Sequence, residues 1–175
     1  MINLLRQRRS IRTYSAQTIA PEDLNILKEA ALRSPSSRDL NPWEFIFVED
    51  RELLKKLSMA KPHGSSFLRD AALGIVVLGD ERKSDAWIED ACIASTIIHL
   101  TAHSLDLGSC WIQIRMRGHD SQKSAEAYIR ELMCIPSHLR VESIIAVGHP
   151  AEQKTGHPFD KLDFSKIRRN RYQNS

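Results

Sequence analysis

A chain of 175 residues fits one domain, read here as residues 1–175, long enough to bury a core and with an extended tail over 151–175. No apolar run approaches membrane-spanning length, and the apolar opening before the first arginines is too short for a signal h-region, so a cytoplasmic protein with no membrane partner is expected. The net charge of +3 is concentrated at the two ends (Arg6, Arg8, Arg9 and Arg12; Lys166, Arg168, Arg169 and Arg171), but no helix-turn-helix, zinc-finger or RNP-like pattern accompanies it, which argues against nucleic acid as a partner.

Ile2 to Gln7 reads as a short helix, and residues 8–19 as an aperiodic loop. Ala20-Pro21-Glu22-Asp23 opens a helix: proline suits a first turn, and the two acids sit where the helix dipole favours negative charge. Leu24, Leu27 and Ala31 give it a core stripe, and Pro35 stops it. Trp43 to Val48, rich in aromatic and β-branched residues, predicts a strand. Asp50 can cap a helix over Arg51 to Met59, with Leu53, Leu54 and Leu57 inward. After a breaker-rich loop, Leu73 to Leu78 is a continuous apolar run, the pattern of a strand covered on both faces. The longest periodic segment, Ser84 to Asp106, predicts a helix closed by Gly108 as C-cap. Its apolar residues, including Trp87, Ile93, Ile97, Ile98 and Leu100, wrap more than half its circumference; a small sheet covers one face, so a second copy of the chain is the expected cover for the other. Ser109 to Arg115 predicts a third strand, Gln122 to Met133 an amphipathic helix ended by Pro136, and Val141 to Val147 a fourth strand. Helices and strands intermix without regular βαβ spacing, which gives an α+β fold, a three-layer sandwich.

The stretch Arg8-Arg9-Ser10-Ile11-Arg12-Thr13-Tyr14 packs three guanidinium groups and three hydroxyls into seven positions. Arginine presents a planar fork of donors that matches phosphate oxygens in pairs. With no Gly-x-Gly-x-x-Gly fingerprint and no P-loop in the chain, any phosphate must be held by side chains rather than by a glycine nest. After an intervening helix comes Ser34-Pro35-Ser36-Ser37-Arg38-Asp39-Leu40-Asn41-Pro42-Trp43-Glu44-Phe45, a hydroxyl-rich turn leading into an aromatic strand. Together with Gly108-Ser109-Cys110-Trp111-Ile112 and Val147-Gly148-His149-Pro150, these stretches resemble, in order and spacing, the landmarks of the flavin-dependent nitroreductase family.

That resemblance implies a nitroreductase-like α/β/α sandwich on a mixed, mostly antiparallel sheet, assembled as a domain-exchanged homodimer. It implies FMN as cofactor, held by Arg8, Arg9, Ser10 and Arg12 of one subunit and by Pro35, Ser36 and Ser37 of the other, with Asn41 also a cofactor-binding residue and Gln113, Ile114 and Arg115 near the reactive ring nitrogen. It further implies NAD(P)H as electron donor, an electron-poor acceptor such as a nitroaromatic or quinone, a ping-pong cycle and no catalytic side-chain nucleophile. The chain departs from the family pattern at Asp39, where asparagine is usual, at Asn41, where glutamine is frequent, and at Gln113 to Arg117, where glycines are frequent. Those bulky residues leave open a non-catalytic flavin-storage dimer with an occluded substrate face. Lys154 and Lys161 are the two candidates for a C-terminal cation on the phosphate. His99 and His103, four apart, read as core or interface histidines rather than metal ligands, because no third ligand is suggested nearby. Cys92, Cys110 and Cys134 read as structural thiols in a reducing compartment.

Overall fold

A computed structural model describes residues 1–172. Its helices are α1 (Ile2–Gln7), α2 (Pro21–Leu32), α3 (Arg51–Ser58), α4 (Trp87–Ser104) and α5 (Ala125–Leu132); its strands are β1 (Trp43–Val48), β2 (Leu73–Asp80), β3 (Gly108–Gln113) and β4 (Leu139–Gly148). The strands form one sheet in the order β1-β2-β4-β3, every neighbour antiparallel. Among the described residues the single parallel pairing is an isolated bridge, Ser10 to Ser109, that lays the arginine loop along the start of β3.

Strand alternation divides the core into two layers. Val76 and Leu78 of β2 and Ile144 and Ala146 of β4 face a cluster with Leu54 and Leu57 of α3 and Ile129 of α5. Leu73, Ile75 and Val77, with Ile145 and Val147, face Leu27 and Ala31 of α2 and Ala91, Ile98 and Ala102 of α4. Both faces of the sheet are thus covered, which is why β2 is apolar from Leu73 to Gly79; the three-layer reading of the sequence holds.

The ends of α4 correct the sequence reading. The helix stops at Ser104, and Asp106, not Gly108, takes the left-handed conformation (φ 57°) beyond it. Gly108 belongs to β3, where a Cβ would lie 2.7 Å from Ile11 Cγ2. Its missing side chain lets the arginine loop sit on the strand. At the other end the periodic pattern begins at Ser84, but the helix begins at Trp87, because Ser84 Oγ accepts the Ala86 N–H at 3.1 Å in a turn. Likewise α5 starts at Ala125, with Ser124 as its N-cap accepting from Ala127 N–H at 3.1 Å, rather than at Gln122.

Residues 151–156 run back beside the arginine loop, and a Cβ at Gly156 would run into the Arg6 carbonyl. Beyond them Phe159, Leu162, Phe164 and Ile167 stand exposed, Phe159 and Ile167 at 72% and 69%. On α4, Ile93 is 41% exposed, on the side away from the sheet.

Candidate functional site

The arginine loop is fastened at three points. Ile11 N–H donates to Ser109 O at 3.0 Å, Ser15 N–H to His149 O at 2.9 Å, and Ala151 N–H to Thr13 O at 2.9 Å. Tyr14, buried beneath it, donates its hydroxyl to Ile11 O at 2.6 Å, and burial pushes its phenol well above the ordinary range.

Glu152 organises the inner side of the loop. Its Oε1 accepts Arg12 N–H at 2.6 Å, Thr13 N–H at 3.2 Å and the Lys154 ammonium at 3.0 Å. These partners, the Arg12 N–H foremost, hold its carboxyl below the usual range. Lys154 also donates to Ser10 O at 2.9 Å. The carboxylate is therefore spent on backbone and lysine, not on arginine: among the described residues, none of Arg8, Arg9 and Arg12 has a carboxylate within 4.0 Å of its guanidinium. Arg8, Arg9, Ser10, Arg12, Lys154 and His157 line a cavity of about 240 Å³. A wider cavity of about 980 Å³ adjoins it, reaching His103 and Asp106 at the far end of α4. Three uncompensated guanidinium groups around one hollow suit a multiply charged oxyanion, which satisfies several forks at once.

Behind the loop, His99 Nδ1 lies 2.7 Å from Ser109 Oγ and its ring stacks 6.4 Å from that of Trp111. Burial, and secondarily the Arg8 charge, lowers its pKa to about 4. It is a neutral packing histidine. His103 instead borders the wide cavity. Cys110, on the same strand, is buried, and that burial raises its thiol. Lys61, in the loop after α3, has its ammonium pushed below the ordinary lysine range by burial and then by the neighbouring Arg117.

The serine turn lies elsewhere. Ser37 N–H donates to Asp90 Oδ1 at 2.8 Å in the first turn of α4, and Ser36 Oγ accepts Asn41 N–H at 2.8 Å. Arg38, Asp39 and Asn41 all have positive φ (56°, 55° and 46°). Non-glycine residues adopt that conformation at a cost, and three within four positions mark a turn held in shape by its surroundings. Asp90 and His103 are separated by about 20 Å along α4, at about 1.5 Å per residue. Within one chain, Pro35, Ser36, Ser37 and Asn41 therefore sit at the opposite end of α4 from Arg8, Arg9, Ser10 and Arg12.

At the third segment the ladder is informative. Ser109 O bonds Ile11, so Ser109 points to the free edge of the sheet; with antiparallel alternation Trp111 and Gln113 do too, while Ile112 pairs inward. Ile114 N–H and Arg115 N–H both donate to Glu142 O, at 3.2 and 3.0 Å. Of the three expected ring-facing residues, only Gln113 thus keeps its N–H at the free edge. The Ile114 side chain is buried in the core. Gln113 folds back, accepting Trp111 Nε1–H at 2.9 Å and donating to Glu142 Oε1 at 3.1 Å.

Sequence reasoning left Lys154 as one of two candidates; the structure places it in the arginine cavity, with Lys161 on an exposed turn. It missed Glu152, His157, Lys61 and Glu142. The only signal for Glu142 is a carboxylate inside an apolar strand.

A sandwich with an uncompensated arginine loop at the free edge of its sheet is a protein built to hold an anionic ligand beside its edge strand. The Nitroreductase family matches residues 5–61 and 58–149, and the chain belongs to that family. An FMN-dependent nitroreductase from Clostridium difficile R20291 is 45% identical and superposes with a TM-score of 0.97, covering 98% of this chain and 100% of that one. A protein of Archaeoglobus fulgidus, provisionally named NADH dehydrogenase/NAD(P)H nitroreductase, is 37% identical over 157 residues, 87% of each chain. One of Methanothermobacter thermautotrophicus with the same provisional name is 36% identical over 155 residues, 87% of this chain and 78% of its own. Among the described residues no helix is long and apolar enough to cross a membrane.

Proposed function

We propose that the protein is an FMN-dependent oxidoreductase that takes electrons from NAD(P)H and passes them to nitroaromatics, quinones or related electron-poor acceptors. Donor and acceptor take turns in one pocket, in ping-pong order. The observation that carries this reading is the set of guanidinium groups of Arg8, Arg9 and Arg12 with Lys154 around one cavity, without a carboxylate neutralising the arginines. That donor set fits the phosphate of a mononucleotide, and the adjoining cavity has room for the polar chain that follows it. The names of the relatives support the same cofactor and donor.

When bound, the flavin supplies the two-electron carrier that no side chain of this chain provides. The residues hold and orient it. Arg8, Arg9, Ser10 and Arg12 grip the phosphate end, and Lys154 braces the Ser10 carbonyl beneath. The Gln113 N–H, at the free edge of β3, would be the main-chain donor available to the ring. Pro35, Ser36, Ser37 and Asn41 close the site from a second copy, since one chain holds them at the N-terminal end of α4, opposite its own arginine cavity. The exposed Phe159, Leu162, Phe164 and Ile167 of the tail are apolar surface for that homodimer to cover. Three dispersed free cysteines fit a reducing, cytoplasmic setting.

The storage-dimer reading has less support. It needs the bulk of Gln113 to Arg117 to fill the substrate face, whereas Ile114 is buried in the core and Gln113 is tied back onto Trp111 and Glu142. An absorption spectrum of the purified protein tests the proposal. Flavin bands that bleach on adding NADH or NADPH and return on adding a quinone are expected; a yellow protein that neither donor bleaches would leave only storage, and a colourless one indifferent to added FMN would refute both.

A further inference from the structure

Glu142 is a carboxylate inside a strand whose other residues are mostly apolar, and only 3% of it is exposed. It stands at an irregularity. Val77 pairs with Ser143 and Leu78 with Val141, so Glu142 is the extra residue of a bulge and has no partner on β2. The bulge lets it serve the end of β3 twice over. Its carbonyl accepts both Ile114 N–H and Arg115 N–H, at 3.2 and 3.0 Å. Its Oε1 accepts Gln113 Nε2–H at 3.1 Å and lies 3.8 Å from Cys92 Sγ. Gln113 Nε2 also donates to Arg115 O at 3.2 Å, so the carboxamide and the turn that follows the strand are locked together.

The second oxygen is the unexplained part. Oε2 is buried without a hydrogen-bond partner, and the nearest cation is Arg115, whose Nε stands 3.9 Å away, beyond hydrogen-bond length. A buried carboxylate is costly unless paired, so a group of this kind is kept for what it holds. Removing it would take away one of the two acceptors of Gln113 Nε2, leaving only Arg115 O, and would leave the Arg115 guanidinium without its counter-charge, at the point where β3 offers its last free-edge N–H.

We propose that Glu142 is a positioning residue for the reductase reaction: it fixes Gln113 so that the main-chain N–H faces the flavin ring, and it tethers Arg115 as the charged wall beside it. This rests on the flavin reading above. Two consequences separate it from a merely structural role. The Glu142 charge lies in the field of the ring, and the clamp acts on the chemical step rather than on the phosphate grip, which is at the other end of β3.

The test compares Glu142→Ala and Glu142→Gln with wild type, each loaded with FMN. Glu142→Ala should bind flavin in the wild-type ratio yet lose tenfold or more in kcat, a tenfold change corresponding to about 1.4 kcal/mol of barrier, with KM for the nicotinamide donor little changed. Glu142→Gln keeps an acceptor for Gln113 and should recover most of kcat, but with the negative charge gone its flavin midpoint potential should move upward. Amide exchange on flavin-free protein gives an independent reading: the Ile114 and Arg115 amides should lose protection in Glu142→Ala and regain it in Glu142→Gln, while β2 stays protected. Wild-type kcat and potential in both variants would overturn the proposal, even with altered exchange. If wild type takes up no flavin, the flavin reading fails and with it the role in reduction, while unchanged exchange at the Ile114 and Arg115 amides would show that the clamp itself is wrong.

Discussion

His99 offers a quantitative test of the packing behind the arginine loop. The ring is 8% exposed and meets Ser109 Oγ at 2.7 Å, and burial with the Arg8 charge lowers its pKa from 6.5 to about 4. Between those two values the unfolded chain takes up a proton that the folded chain refuses. Stability is therefore complete above pH 6.5, declines as pH falls, and has lost its full His99 share by about pH 4, where the folded ring also protonates. At about 1.4 kcal/mol per unit, the window is worth about 3 kcal/mol. Urea unfolding of wild type and His99→Gln at pH 7.5, 6, 5 and 4.5 isolates it. Carboxylates such as Asp80, held down by its Arg82 hydrogen bond, and Glu152, held down by Arg12 N–H, titrate in both proteins and cancel. The stability difference, wild type minus variant, should fall by about 1 kcal/mol per pH unit below 6.5. A flat difference would refute the argument, as would a His99 titration observed near 6.5. An anion seated on Arg8 offsets the second cause of the shift, so loading with FMN should move the His99 titration upward.

Arg8→Ala should weaken FMN binding by about 10- to 100-fold, the value of a charge-assisted hydrogen bond of about 1.5–3 kcal/mol, measured by fluorescence titration. Riboflavin, lacking the phosphate, should bind weakly to wild type and no worse to Arg8→Ala; a large further loss with riboflavin would move Arg8 off the phosphate. Gly108→Ala puts a Cβ 2.8 Å from Ile11 Cβ and should cost about 1–3 kcal/mol in urea unfolding, together with flavin affinity, because the loop must lift from β3. Unchanged flavin affinity in that variant would separate the loop's seat from its function.

How much of this was legible depended on the range of the interaction. β2 was readable because a strand covered on both faces must be apolar throughout, and α2 because proline, two acids and a periodic stripe all act within a turn or two. Gly108 was misread because a glycine after a helix has two uses, a left-handed cap or a close approach, and the sequence does not say which; Asp106 took the first. Lys154 could not be chosen over Lys161, since the contact that selects it, with Ser10 O, spans nearly the whole chain. The bulge that makes Glu142 useful is a property of pairing between strands, with no local signature. The strain in the serine turn was equally silent, because Arg38, Asp39 and Asn41 are not glycines and their positive φ is imposed from outside.

The separation of the two motifs along α4 yields a test of how the site is assembled. If the arginine loop and serine turn of one chain served one flavin, they would have to span the length of that helix, whereas Ser37 is tied to Asp90 in its first turn and Arg8 shares a cavity with His103 near its last. In the proposed dimer two chains meet in opposite senses, so that each site would take arginines from one copy and serines from the other. A dimer of Arg8→Ala/Arg12→Ala chains then has two impaired sites, and so does a dimer of Ser36→Ala/Ser37→Ala chains. Unfolding the two together and refolding them as mixed dimers places every mutated group in one site and leaves the other wholly wild type. A random mixture in equal amounts forms hybrids in about half its dimers, so about a quarter of all sites should recover tight FMN binding and turnover, by mass-action pairing of equivalent subunits. Sites made within one chain would recover nothing, because every chain in the mixture carries a lesion. No recovery, with hybrid dimers verified by mass, would refute the shared site and leave the serine turn without a role in holding the flavin.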